Sequence, residues 1–258
     1  MRPDKTKSQI QAINHTAAMA KMYPTEIQNC IFNSRVYTKY SKFNDTPSIE
    51  NTVSQKLVKM DSVEAGKVMS SKEGKVCILN FASYKHPGGG FITGSIAQEE
   101  CLCHESILYN VLSSNNLKPF YEYNLNHLNG GSYEDRAIYT PDVLFVDDNN
   151  LPKFKADVLT CASPNYGYYI AQRVSKEKNY KALESRINFV KKILLDNNVD
   201  IAILGAYGCG VFHQDPFVVA KLFSDSFTKD NGNLKKVYYA IPGGHNYFAF
   251  ERTIRCYN

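Results

Sequence analysis

The sequence predicts an α/β fold: a mixed, mostly parallel sheet with helices on both faces. Three observations carry this prediction. Val76–Phe81, Ile201–Leu204 and Val237–Ile241 are near-continuous apolar runs, as expected of strands covered on both sides. Helical patterns alternate with them, which brings successive strands into parallel register. Glycine-rich loops follow two of these runs, and open sheets of this kind bind ligands at the carboxyl ends of their strands.

Residues 1–45 read as mainly helical, with Ile10, Ile13, Ala17 and Met19 loosely periodic and a second apolar pattern after Pro24. Residues 55–60 suggest a short strand, and Asp61 or Ser62 caps a helix reaching Ser70. Gln98 to about Leu112 reads as one helix, from the spacing of Leu102, Glu105, Leu108 and Tyr109. Val143–Val146 and Asp157–Cys161 are strand-like, Arg186–Asn197 is amphipathic, and Asp215-Pro216 opens another helix. The polar stretch Asn124–Arg136, with Asn129-Gly130-Gly131-Ser132, is expected to be a mobile surface loop. The 258 residues suit one domain with an extension: a helical extension over residues 1–50, then a core over 51–258.

No apolar run is long enough to span a bilayer, and no apolar segment follows the basic start, so neither a membrane nor a secretory signal is expected. Seven cysteines without regular spacing point to reduced thiols and a cytoplasmic or nuclear setting. Cys101-Leu-Cys103-His104 is too tightly spaced for a usual zinc site, and the six histidines are dispersed. No metal and no cofactor are expected. The net charge of +5 lies entirely within residues 1–60, which hold nine Lys or Arg against four Asp or Glu. These charges are scattered, so they read as a solvated face; contact with nucleic acid is not indicated. A monomer is expected.

Two loops carry the chemistry. In the first, Val76–Phe81 runs through Ser83 into Gly88-Gly89-Gly90, and Gln98-Glu99-Glu100 follows seven residues later at a helix start. Alone, three glycines read as a turn and two glutamates as a solvated helix start. Together they put acid/base groups beside a backbone that a ligand can approach closely. In the second, Ile201–Leu204 delivers Gly205-Ala206-Tyr207-Gly208-Cys209-Gly210-Val211-Phe212 ahead of the Asp215-Pro216 helix. Backbone amides in such a loop form an anion site suited to a diphosphate. It is neither a P-loop nor a dinucleotide fingerprint, since the required spacings are absent.

The triple glycine, spacer and Gln-Glu-Glu resemble the signature of microbial-type poly(ADP-ribose) glycohydrolases, a macrodomain-fold family. The second loop resembles that family's Gly-x-x-Gly-x-Gly-Val-Phe diphosphate loop. The resemblance implies a three-layer α/β/α macrodomain-like fold with an N-terminal helical region. It implies a hydrolase that cleaves ribose–ribose O-glycosidic bonds in poly(ADP-ribose), itself attached to protein, and releases ADP-ribose. By resemblance, Glu100 protonates the leaving ribose hydroxyl and then activates water, while Glu99 bonds ribose hydroxyls. Gln98 supports the pair, Gly88, Gly89 and Gly90 pass near the terminal ribose, and Asn80 and Ser83 donate hydrogen bonds to it. The backbone from Gly205 to Gly210 holds the diphosphate, and Phe212, after Val211, packs on the distal ribose.

Adjacent residues at a helix start project about 100° apart, so Glu99 and Glu100 are expected to play distinct roles rather than flank one bond as glycosidase carboxylates usually do. Glu99 as a neighbour raises the affinity of Glu100 for a proton and the helix N-terminus opposes this; the sequence does not rank the two. Two other readings stay open. A non-catalytic ADP-ribose reader would have no need of the acid pair. A hydrolase of mono-ADP-ribosyl groups, on protein, nucleic acid or an O-acyl ester, would fit the same loops.

Overall fold

The computed structural model describes residues 5–44, 53–70, 74–171 and 175–254; the first four residues of the basic start lie outside them. Seven strands form one sheet in the order β1-β4-β5-β3-β6-β7-β2. In chain order they are β1 (Arg35–Thr38), β2 (Ser54–Val58), β3 (Val76–Phe81), β4 (Arg136–Val146), β5 (Pro152–Cys161), β6 (Ile201–Leu204) and β7 (Lys236–Ala240). The β5–β3, β3–β6, β6–β7 and β7–β2 pairs are parallel, whereas β1–β4 and β4–β5 are antiparallel. The mixed, mostly parallel sheet expected from the apolar runs is present.

Alternation along the central strands sends side chains into two cores. Val76, Ile78, Ile201 and Ile203 join the first, and Cys77, Leu79, Ala202 and Leu204 join the second, as the period of two dictates. The first core is covered by α1 (Lys5–Met22), α2 (Pro24–Asn33), α3 (Ser62–Ser70), α4 (Gln98–His104), α5 (Leu108–Leu112) and α6 (Lys118–Asn126). The second is covered by α8 (Lys176–Asp196), α9 (Pro216–Ser226) and α10 (Gly244–Ile254); α7 (Tyr166–Ala171) is a short connector. This is a three-layer arrangement. No helix among the described residues is long and apolar enough to cross a membrane.

Four sequence expectations need correction. The N-terminal segment contains a strand as well as helices: β1 pairs with β4 at the sheet edge. On α1 the buried residues are Ser8, Ala12 and Met19, while Ile10 and Ile13 stay half exposed. The small side chains let α1 approach the 3-10 turn Phe91–Thr93 closely, and this contact outweighs the weak apolar periodicity. The helix expected over 98–112 breaks at Glu105–Ile107. There the backbone turns to bond β4, Ile107 N–H to Leu144 O and Val146 N–H to Glu105 O, a tertiary pairing that side-chain spacing does not register. Finally, 124–136 is not a free surface loop. Asn124 is buried at the end of α6, where its amide donates to Tyr84 O and accepts from Arg136. Tyr133 stacks on Tyr84 with ring centroids 4.0 Å apart.

Candidate active site

A cavity of about 1100 Å³ lies across the carboxyl ends of the parallel strands. β3 contributes Phe81–Ser83, β5 leads to Ser163, β6 to Ala206–Gly208 and Gly210–Phe212, and β7 to Ile241–Gly243. Strands in parallel register end on one side of the sheet, so their following loops gather there.

The start of α4 is fixed to this edge by Gln98. Its side-chain oxygen accepts Phe81 N–H at 2.8 Å, and its nitrogen donates to Leu79 O at 2.9 Å and Ser62 Oγ at 3.1 Å. Gln98 thus ties α4 to β3 and α3 and does not itself hold the two glutamates. Glu99 and Glu100 are only 3% and 6% exposed. Glu99 Oε2 accepts Ser83 N–H at 2.6 Å, Oε1 accepts the Asn80 amide at 3.3 Å, and the Gly88 N–H faces the same carboxyl. Glu100 Oε1 accepts Gly90 N–H at 2.7 Å and Oε2 accepts Ala97 N–H at 2.8 Å, closing the first turn of α4 on itself.

The two carboxyls therefore converge rather than diverge. A Cβ on Gly89 would stand 2.5 Å from Glu100 Oε1 and 2.8 Å from Glu99 Oε2. The helix start sends the side chains apart, but the N–H groups of the triple-glycine turn draw both carboxyls back to one place. Gly89 has φ +61 and lacks the side chain that would occupy that place. Burial, first, and the Glu100 charge push the Glu99 carboxyl up to about 8, against the opposing N–H donors. Burial disfavours an ion that no cation offsets.

Of the residues expected from sequence, Ser83, Gly89, Gly90, Gln98, Glu99 and Glu100 line the cavity, as do Ala206, Tyr207, Gly208, Gly210, Val211 and Phe212. Asn80, Gly88, Gly205 and Cys209 are not among its lining residues. Asn80 is fully buried beneath Glu99, its amide also donating to Thr160 Oγ1, so it braces Glu99 from below. Tyr207 turns its ring into the core, where its hydroxyl donates to Cys161 O at 3.1 Å; its backbone remains with the loop. Asp215 caps α9 by accepting Phe217 N–H.

The structure adds residues that the sequence reading did not assign. Lys5 from α1, Asp61–Val63 at the start of α3, Ser163, Ile241–Gly243 and Asn246 also line the cavity. The Pro242-Gly243-Gly244 run after β7 was the available signal for one of these walls. Nothing local marks Lys5, which reaches the cavity through the packing of α1. Among the described residues, no group of three or more His, Cys, Asp or Glu side chains could hold a metal ion.

The family model for the microbial-type poly(ADP-ribose) glycohydrolase (PARG) catalytic domain matches residues 4–148, more than half of the chain. No curated protein matches. Among solved structures, PARG from Thermomonospora curvata superposes with a TM-score of 0.80 at 23% identity, covering 96% of this chain and 99% of that chain. PARG from Deinococcus radiodurans in complex with ADP-ribose gives 0.79 at 27% identity, covering 91% and 98%. The Thermomonospora protein is also known bound to the inhibitor ADP-HPD. The fold is thus the macrodomain-like one of these glycohydrolases.

Proposed function

The chain belongs to the microbial-type PARG catalytic-domain family, a family of glycosidases acting on poly(ADP-ribose), and we propose that Glu100 is its catalytic acid and base. The observation that carries this is the convergence of two buried carboxyls on the cavity under the triple-glycine turn. Cleavage of a ribose–ribose bond passes through an oxocarbenium-like transition state and needs a proton for the departing oxygen. Glu100 gives that proton as the C–O bond breaks. It then takes one from the water that adds to the anomeric carbon, so the free enzyme is restored.

Glu99 meets the ribose hydroxyls and orients the linkage. Ser83, Gly89 and Gly90 border the terminal ribose. The backbone from Ala206 to Gly210 holds the diphosphate, and half-buried Phe212 packs on the distal ribose, which together fix the anomeric carbon against Glu100. That a Deinococcus relative was solved in complex with ADP-ribose supports ADP-ribose as the unit this cavity takes. Within the extension expected over residues 1–50, the described part, 5–44, reaches the cavity through Lys5. The substrate arrives attached to protein, and the chain works as a monomer inside the cell.

Digestion of automodified poly(ADP-ribose) by wild type and Glu100→Gln tests the assignment, alongside calorimetric titration of ADP-ribose. Wild type is expected to release ADP-ribose; the variant should bind it normally yet turn over at least about a hundred-fold more slowly. A variant with near wild-type turnover would remove Glu100 from the chemistry. Binding without release by the wild type would leave a reader.

A further inference from the structure

Arg186, in α8, is the largest fully buried side chain among the described residues. A buried guanidinium is costly unless its N–H groups are paired. Its Nε donates to Asp135 Oδ1 at 2.7 Å, one terminal nitrogen to Ala162 O, and the other to Ser132 O at 3.3 Å. It also faces the Tyr207 hydroxyl. Asp135 is held in turn by the Ser185 hydroxyl at 2.6 Å. One side chain thus joins three segments distant in sequence: 132–135, the end of β5, and the second glycine loop.

Two of these segments carry part of one cavity wall, and the third, 132–135, backs it behind Phe212. Ala162 precedes Ser163, which lines the cavity and packs directly against Gly208. Tyr207 belongs to the loop itself. Tyr133, between the two bonded residues Ser132 and Asp135, has φ +60 and sets its ring edge-on to Phe212, with centroids 6.1 Å apart. A non-glycine residue in that conformation is held there only by its surroundings. None of the hydrogen bonds of Arg186 reaches Gly88–Gly90, Glu99 or Glu100, which are held instead by Ser83, Asn80 and Ala97.

We propose that Arg186 is a positioning residue for the diphosphate of the substrate, setting the 205–210 loop and the Tyr133–Phe212 wall at the spacing that a diphosphate-ribose requires. The inference rests on the reading of that loop as the diphosphate site. The fork geometry is what the role needs: a guanidinium holds several acceptors in one plane, and an ammonium on a flexible stem does not.

The test is Arg186→Lys, measured by calorimetry with ADP-ribose and with ADP, and by kinetics on poly(ADP-ribose). With two or more charge-assisted bonds lost, the Kd for both ligands is expected to rise about ten-fold or more, by similar factors, and KM with them. Since the carboxyl pair is held separately, kcat should fall less than KM rises. A folded variant that binds both ligands as wild type does, or one that loses kcat with Kd unchanged, overturns the proposal. If Arg186→Lys fails to fold, Tyr207→Phe removes the hydroxyl facing the guanidinium and keeps the ring. The hydroxyl also donates to Cys161 O, so its loss loosens the loop from both the guanidinium and the end of β5; a rise of at least about three-fold in Kd is expected there, and an unchanged Kd overturns the proposal. If wild type binds ADP-ribose but not ADP, the loop is not the diphosphate site, and the inference falls with that reading. If wild type binds neither, the cavity itself has been misread.

Discussion

The two glycine loops look alike in sequence and differ in what their glycines make room for. At Gly89 the space that a Cβ would fill is taken by the protein's own carboxyls, Glu100 Oε1 and Glu99 Oε2. At Gly210 a Cβ would meet nothing within 4 Å, and the residue borders the cavity. Gly89 lets the acid pair close on the backbone, whereas Gly210 leaves an open side toward the cavity; the other second-loop glycines, Gly205 and Gly208, pack against Ala240 and Ser163. A glycine that serves the fold and one that serves a ligand cannot be told apart by spacing; they differ in what stands opposite.

Gly89→Ala should give the largest effect. It places a methyl between the two carboxyls at a positive φ, which costs a non-glycine residue about 1–2 kcal/mol. The glutamates must swing away, and a displacement of about 1 Å at a catalytic group is worth roughly a hundred-fold in rate. Turnover of poly(ADP-ribose) should fall by that much or more, while ADP-ribose binding changes less. A variant with normal turnover would mean that the pair does not depend on the close approach.

Glu99→Gln should give an intermediate effect, readable in stability. The Glu99 carboxyl is pushed up to about 8 from an ordinary 4.5, chiefly by burial. The folded protein therefore keeps a proton that the unfolded chain gives up between those two values. Stability falls as pH rises through that window, and the loss is complete above about 8. Gln carries no charge to bury, so its melting temperature relative to wild type should climb between pH 5 and pH 9. A few kcal/mol is at stake, corresponding to several degrees for a chain of this size. A difference that stays flat with pH would show that Glu99 is not buried as a titrating acid.

Gly210→Ala should give the smallest effect and sharpens the comparison most. With open space around the new methyl, the melting temperature should stay within about a degree of wild type, as for a surface change. If the loop backbone lies against the diphosphate, the Kd for ADP-ribose should rise about ten-fold from the crowding of that approach. Unchanged binding would move the ligand away from Gly210.

Much of the fold was legible because the central strands are buried on both faces, and such strands announce themselves as apolar runs; Val76–Phe81 and Ile201–Leu204 were bounded to the residue. The break between α4 and α5 was not legible, because it depends on β4 lying alongside to take the backbone bonds of 105–107. The exposed Ile10 and Ile13 misled for a related reason: α1 buries Ser8 and Ala12 to gain a close contact. In the site, residues that act through a local turn were readable. Those that act through distant packing, Lys5, Ser163 and Arg186 among them, were not.

By itself the sequence determined which chemical groups are present and where along the chain they sit: a Gln-Glu-Glu with its acid pair seven residues after a triple glycine, and an amide-rich loop after a buried strand. These are short-range facts, set by neighbours in the chain. Only the tertiary structure decided that Glu99 and Glu100 converge, that Glu99 is the carboxyl whose proton affinity is raised, and that Asn80 braces it from below. Those outcomes depend on burial and on N–H donors brought from other segments. Desolvation and hydrogen bonding act through space, over a few ångströms, whatever the distance along the chain.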